Sequence, residues 1–234
     1  MIRRQLLTRL VIPAMGLALA VGASGCGDTP SMPADQVIQK ASPAIRAANS
    51  FHFNLATGKV PSAPAGIFIT GVDGDVVKPS KLAGDVTATY SGIPVKIKVV
   101  VDGKDQYWTD PTSGAWGPMP AELDMASFFD PSKGISDIIA NVKGVTSDGT
   151  ENVDGTDTYR LKGSVPATAL KSLSPEVTAT GDLSTTLWIG TNDFLLRQVR
   201  LQGPLLSNEP QDLVRTINIK NYNEDVKIET PVIK

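Results

Sequence analysis

Residues 93–101 carry five apolar side chains at every second position: Ile93, Val95, Ile97, Val99 and Val101. Lys96 and Lys98 stand between them. A period of two with lysines on one side and branched aliphatics on the other predicts a β-strand with one dry face and one wet face. Such a strand commits the chain to a sheet whose apolar face must be covered. Asp102-Gly103 is a tight-turn signal, and Gln106-Tyr107-Trp108-Thr109 reads as the returning partner.

The same period recurs along much of the chain. Phe51, Phe53 and Leu55 alternate with His52, Asn54 and Ala56. Strand-like stretches are expected at 67–72, 85–91, 156–162, 185–190, 195–202 and 214–222, with a final edge near Val226–Ile228. Thr191-Asn192-Asp193 suits a hairpin turn, and a turn at Pro111 to Gly114 leads into Trp116. Helical spacing appears at three places. Between Ala34 and Asn49, residues Val37, Ile38, Ala41, Ile45 and Ala48 mark an apolar stripe, and Pro43 is expected to kink the helix or restart it at Ser42-Pro43. Asp130-Pro131 supplies an N-cap and a first-position proline for a second helix, with Ile135, Ile138, Ile139 and Val142 inward and Gly144 as its end. A shorter helix is expected from Pro166 to Leu173, with Leu170 and Leu173 inward. A few helices among many antiparallel strands, with no repeat and no interdomain linker, point to one α+β domain over residues 34–234.

The N-terminus constrains location. Arg3, Arg4 and Arg9 precede an apolar run from Leu10 to Ala23, and Ala23-Ser24-Gly25-Cys26 closes it. A basic start, a short apolar stretch and small residues before a cut form an export signal. The run is shorter than the ~20 residues of a spanning helix, and Pro13 interrupts it. Cys26 is the only cysteine. At the cut, it resembles the lipobox of bacterial lipoproteins, in which the thiol receives a diacylglycerol and becomes the mature N-terminus. Residues 1–25 then form the signal peptide, and residues 26–33, rich in Pro and Gly, a tether. An ordinary secretory signal with an incidental cysteine is the alternative.

Composition excludes several functions. Without residues 1–25, which hold three Arg and no acid, 19 basic side chains face 24 acidic ones. That balance argues against nucleic acid as a partner and against a polybasic membrane patch. The single histidine, His52, leaves no His-based metal cluster, and no GxSxG elbow or Gly-rich phosphate loop occurs in the mature chain. No catalytic residue, metal ligand or cofactor is expected. Segment 148–155 (DGTENVDG) is the best calcium candidate, and it lacks the EF-hand spacing. Trp108, Trp116, Trp188, Tyr107, Tyr159 and Phe128-Phe129 suit core or rim packing, with an aromatic pocket mouth or membrane contact as the sharper reading.

Several segments together resemble the LppX/LprAFG family of mycobacterial cell-envelope lipoproteins, in particular its LprG branch. They are the lipobox at Cys26, Ser50-Phe51-His52-Phe53, Gly84-Asp85-Val86, Val100-Val101-Asp102-Gly103 with Tyr107, and the Trp116 segment. Asp130-Pro131 with Gly134-Ile135 and Ile139-Ala140-Asn141-Val142, the run from Gly155 to Pro166, and Thr186-Leu187-Trp188-Ile189 complete the match. Pro43 and Ala23 depart from the family pattern. The resemblance implies a strongly curved antiparallel half-barrel wrapped around a few helices, with an apolar cavity between them. It also implies a carrier of lipids or glycolipids across the envelope, lipid-anchored to the outer face of the cytoplasmic membrane. An exporter of the major facilitator type is a candidate partner.

On that reading the cavity candidates are Phe51, Phe53, Val95, Ile97, Val99, Val101, Ile135, Ile138, Ile139, Val142, Leu187 and Ile189. Acyl chains cost ~0.8 kcal/mol per CH₂ in water, so a carrier needs aliphatic walls with few buried polar groups. The β stripe and the helix stripe satisfy that as opposing walls, or they pack together as an ordinary core. The second outcome is a lipidated structural or adaptor protein without a pocket.

Overall fold

Eleven strands form one antiparallel sheet in a computed structural model that describes residues 32–58, 67–90, 92–120, 134–172 and 177–233. In chain order they are β1 (Ser50–Thr57), β2 (Ile67–Val77), β3 (Lys81–Tyr90), β4 (Ile93–Asp102), β5 (Asp105–Thr109), β6 (Trp116–Pro118), β7 (Lys143–Val153), β8 (Thr156–Pro166), β9 (Asp182–Gly190), β10 (Leu196–Gln202) and β11 (Val214–Lys220). Their spatial order is β6-β5-β4-β3-β2-β1-β11-β10-β9-β8-β7, so two meanders join through the β1–β11 pair. The sheet is unclosed and curved. Each neighbouring pair adds about 20–25° of twist, and open sheets beyond ~10 strands curl rather than stay flat.

Among the described residues, two α-helices, α1 (Ala34–Ala47) and α2 (Gly134–Ala140), and a 3-10 helix (Ala167–Ser172) accompany the sheet. Val37, Ala41 and Ile45 bury one stripe of α1, and Ile135, Ile138 and Ile139 bury that of α2. Both stripes join the inward residues of the sheet in one hydrophobic cluster. Residues 32–234 form one compact unit.

Three local expectations change. Of the two outcomes expected at Pro43, a restart does not occur: the first helix runs through the proline to Ala47. Val37 and Ala41 before the proline and Ile45 after it share one buried face, and that packing outweighs the ~3 kcal/mol cost of an interior proline. Gly144 does not end the second helix, which stops at Ala140; it lies in β7 at φ 60°. Val226–Ile228 is not a strand, because the chain leaves the sheet after Lys220. Segment 148–155, the calcium candidate, is the end of β7 and its turn into β8. Asp154 and Gly155 there have φ values of 48° and 82°, the signature of a two-residue hairpin turn. Cys26, Asp130-Pro131, Phe128-Phe129 and Leu173 lie outside the described residues.

The long β10–β11 connection is held from within. The Glu209 carboxylate accepts hydrogen bonds from the backbone N–H groups of Leu205 (2.7 Å) and Leu206 (3.2 Å) and pairs with Arg215. Arg215 also donates to the Gly203 carbonyl at 3.3 Å. Both side chains are largely buried, so removing one partner strands the other's charge. Glu209→Ala is therefore expected to cost about 3–5 kcal/mol in urea unfolding. A loss below about 1 kcal/mol would place the pair among surface ion pairs.

Candidate functional site

The inward face of β3 and β4 is built from register. Leu82 stands opposite Val101, Gly84 opposite Val99, Val86 opposite Ile97, Ala88 opposite Val95 and Tyr90 opposite Ile93. Every second residue of each strand points the same way, so these pairs share one face. Val99 and Val101 are fully buried, whereas Ile97 and Val95 are only half-buried. Ile93, which the alternation assigns to the dry face, is 66% exposed. The row therefore runs from the core to open solvent along a single strand.

Phe51 and Phe53 on β1, and Leu187 and Ile189 on β9, are buried on the same side of the sheet. Ile135, Ile138 and Ile139 of α2, which packs against α1 and the 3-10 helix, join the same cluster, and Val142, just beyond the helix, packs at its margin. Of the twelve cavity candidates, eleven belong to this cluster or pack against it, and Val95 alone stands outside it. Phe53 occupies a flat site. A Cβ at Gly74 would lie 2.6 Å from the Ala83 carbonyl oxygen and 3.3 Å from the Phe53 ring, and one at Gly84 would lie 3.2 Å from the Gly74 Cα. Only glycine at both positions lets the strands approach this closely beneath the ring.

Among the described residues, Thr185 is a buried polar group on this side and is hydrogen-bonded. The Thr185 hydroxyl, buried between Leu183 and Leu187, donates to the Leu183 carbonyl at 3.3 Å. Chemically the face offers aliphatic and aromatic contact and little else. It suits alkyl chains, or it is filled by its own helices.

The outward face carries the charges. His52 Nδ1 lies 2.9 Å from Asp75 Oδ1, and its Nε2 lies 3.6 Å from Asp73 Oδ2. Trp188 points outward from β9, and its Nε1–H donates to Glu151 at 2.9 Å. Arg160 donates to the same carboxylate at 3.0 Å and pairs with Asp148 at 2.8 Å, while Lys162 reaches Asp148 at 2.9 Å. The Trp188 donor first, and Arg160 second, hold the Glu151 carboxyl below its ordinary pKa. Asp148 and Glu151 are thus engaged in a cross-strand network that covers Trp188. Among the described residues, no group of three or more His, Cys, Asp or Glu is placed to hold a metal ion.

A polar recess of about 340 Å³ opens at the β7–β8 and β9–β10 turns, lined by Asp154, Asp193, Arg197, Lys220, Asn221 and Tyr222 among others. None of the twelve cavity candidates lines it. Arg197 pairs with Asp193 and stacks over the Tyr222 ring at 5.5 Å, and the Tyr222 hydroxyl donates to the Leu196 carbonyl. Burial raises the Tyr222 pKa. Its charged lining sets it apart from the aliphatic face. Sequence reasoning missed it because its residues come from three turns distant in the chain.

Comparison with known proteins places this architecture. The family model LppX_LprAFG lipoprotein matches residues 33–228. The lipoarabinomannan carrier protein LprG of Mycobacterium tuberculosis is 30% identical over 207 residues, covering 82% of this chain and 84% of the relative. The protein of the same name from Mycolicibacterium smegmatis is 27% identical over 231 residues, covering 94% and 93%. Among solved structures, LprF from Mycobacterium bovis superposes with a TM-score of 0.68 at 21% identity, over 86% of this chain and 99% of that one. Lipoprotein LppX from Mycobacterium tuberculosis gives 0.59 at 21% identity, over 83% and 97%.

Proposed function

The chain belongs to the LppX/LprAFG lipoprotein family, and on that premise we propose that it is a membrane-anchored carrier that takes up lipid acyl chains between its sheet and its helices. Cys26 is the anchor in this reading, and the protein works at the outer face of the cytoplasmic membrane. It performs no covalent chemistry. The ligand is a lipid or glycolipid, and a major-facilitator-type exporter is the proposed partner in moving it across the envelope.

The observation that carries this reading is the inward row of β4. It is aliphatic throughout, joins the same apolar cluster as the inward stripe of α2, and stays half-open at Ile97 and Val95. A chain laid along it exchanges water for contacts worth ~0.8 kcal/mol per CH₂. Ten buried methylenes supply about 8 kcal/mol, on the scale of the ~4–15 kcal/mol cost of association, so tight binding calls for longer or paired acyl chains. The matched relatives named as lipoarabinomannan carriers support a lipidic ligand.

The second reading is a lipidated adaptor with a filled core. One observation favours it: Val99, Val101, Ile135, Ile138 and Ile139 already belong to one buried cluster. Uptake of a fluorescent diacyl phospholipid separates the two readings. The carrier reading expects saturable uptake of one lipid per chain, and the adaptor reading expects none. The anchor is tested separately. Cys26→Ser in the chain starting at residue 26 is expected to move the protein from the membrane fraction to the soluble fraction, since two acyl chains give lasting attachment and, among the described residues, no helix is long and apolar enough to cross a membrane. Retention of the serine variant on membranes would contradict a lipid anchor at this residue.

A further inference from the structure

Tyr90 and Ile93 face each other across the β3–β4 pair and are 55% and 66% exposed. They are the outermost pair of the inward row, which is buried at Val101 and Val99, half-buried at Ile97 and Val95, and bare at this end. Gly92, at φ 82°, turns the hairpin so that the pair stands at its tip. A closed core ends in polar residues; this one ends in a tyrosine and an isoleucine. The charge pattern of the hairpin also departs from that of the chain. The hairpin, residues 81–102, carries Lys81, Lys96 and Lys98 against Asp85 and Asp102, a net +1 in a chain of net −2. Lys96 is exposed on the other face of β4, and Lys98 makes a loose 3.7 Å contact with Asp85. An amphipathic aromatic beside a bare aliphatic, backed by two lysines, matches the interface of an anionic bilayer. The distance is short as well: the seven residues from Gly27 to Pro33 span at most ~25 Å when fully extended, which keeps an anchored domain against the surface.

We propose that the β3–β4 hairpin tip dips into an anionic membrane surface and is the point at which an acyl chain passes between the bilayer and the inward row of β4. The proposal rests on the carrier reading for the passage of lipid, but the contact itself does not depend on it. Two side chains give a weak, reversible contact, as a carrier that must let go requires.

The test uses the mature chain anchored in vesicles, with a single added cysteine carrying an environment-sensitive fluorophore. Ile93→Cys places the probe at the tip. Lys104→Cys places it in the exposed turn at the opposite end of β4. In vesicles containing phosphatidylglycerol, the probe at 93 is expected to shift to the blue relative to pure phosphatidylcholine, and the probe at 104 to stay unshifted. A silent probe at 93, or equal shifts at both positions, overturns the contact and leaves the tip free for a protein partner. A transfer assay tests the passage. Phosphatidylglycerol in acceptor vesicles is expected to accelerate transfer of a fluorescent phospholipid by about tenfold, and Tyr90→Ser/Ile93→Ser to abolish that acceleration. Equal acceleration in the variant overturns the passage. If the unmodified chain takes up no lipid at all, the carrier reading fails, while the shift at 93 still decides the membrane contact.

Discussion

Val95→Trp is expected to reduce the fraction of purified chain that carries lipid by at least about tenfold while leaving the fold intact. Val95 is half-buried and is the one cavity candidate outside the packed cluster. Its neighbour across the strand pair is Ala88, so the space beside it is not taken by a large side chain. An indole there occupies the volume of two or three methylenes of a bound chain, a loss of ~2 kcal/mol, or more than tenfold in affinity. Ile97→Trp tests the same row at higher cost. Ile97 packs against the cluster, so the larger ring also strains the core by about 1–3 kcal/mol. The comparison is informative: loss of loading in both variants, with loss of stability only at Ile97, locates the ligand along this row. Full loading in Val95→Trp would remove the row from the binding site.

Phe53→Ala is expected to destabilise the domain by about 4–5 kcal/mol in urea unfolding, at the upper end of the range for a buried aromatic. Phe53 is fully buried at the junction of β1 and β2. Neighbours usually relax into such a gap and recover part of the loss. Here part of the wall beneath the ring is Gly74, paired in register with Gly84, and neither has a side chain to move. A second substitution cannot refill the gap from below, because a Cβ on Gly74 meets the Ala83 carbonyl oxygen at 2.6 Å. Phe53→Ala/Gly74→Ala is therefore expected to be less stable than Phe53→Ala alone. A loss of less than about 2 kcal/mol for Phe53→Ala would mean that the sheet closes over the gap and is softer here than its register implies.

The strands that bury one face were legible from their period. β1 alternates because water takes one side and the core the other, and β4 and β9 do so until Val100 and Trp188, which are buried on the outward face as well; Phe51, Phe53, Val99, Val101, Leu187 and Ile189 lie where the alternation puts them. β7 was invisible for the same reason. It is an edge strand, KGVTSDGTENV, that is largely exposed on both faces, and its pairing with β8 rather than any apolar pattern makes it a strand. Its acidic residues read as a loop until Arg160, Lys162 and Trp188 are seen beside them. The uninterrupted helix across Pro43 was likewise beyond a local reading, since the burial of Val37, Ala41 and Ile45 against the sheet decides it. At the candidate site, identity was legible and degree was not. Spacing assigns Ile93 through Val101 to one face, but the rise in exposure toward Ile93 is set by what packs over that face, which spacing does not carry.

Native mass spectrometry of the mature chain with Cys26 changed to serine decides whether the protein holds acyl chains. A carrier is expected to appear as a species heavier than the polypeptide by the mass of one lipid, released on collisional activation and reduced at least about tenfold by Val95→Trp. A bare polypeptide mass, unchanged after incubation with diacyl lipids, would contradict the carrier reading and leave the filled-core adaptor.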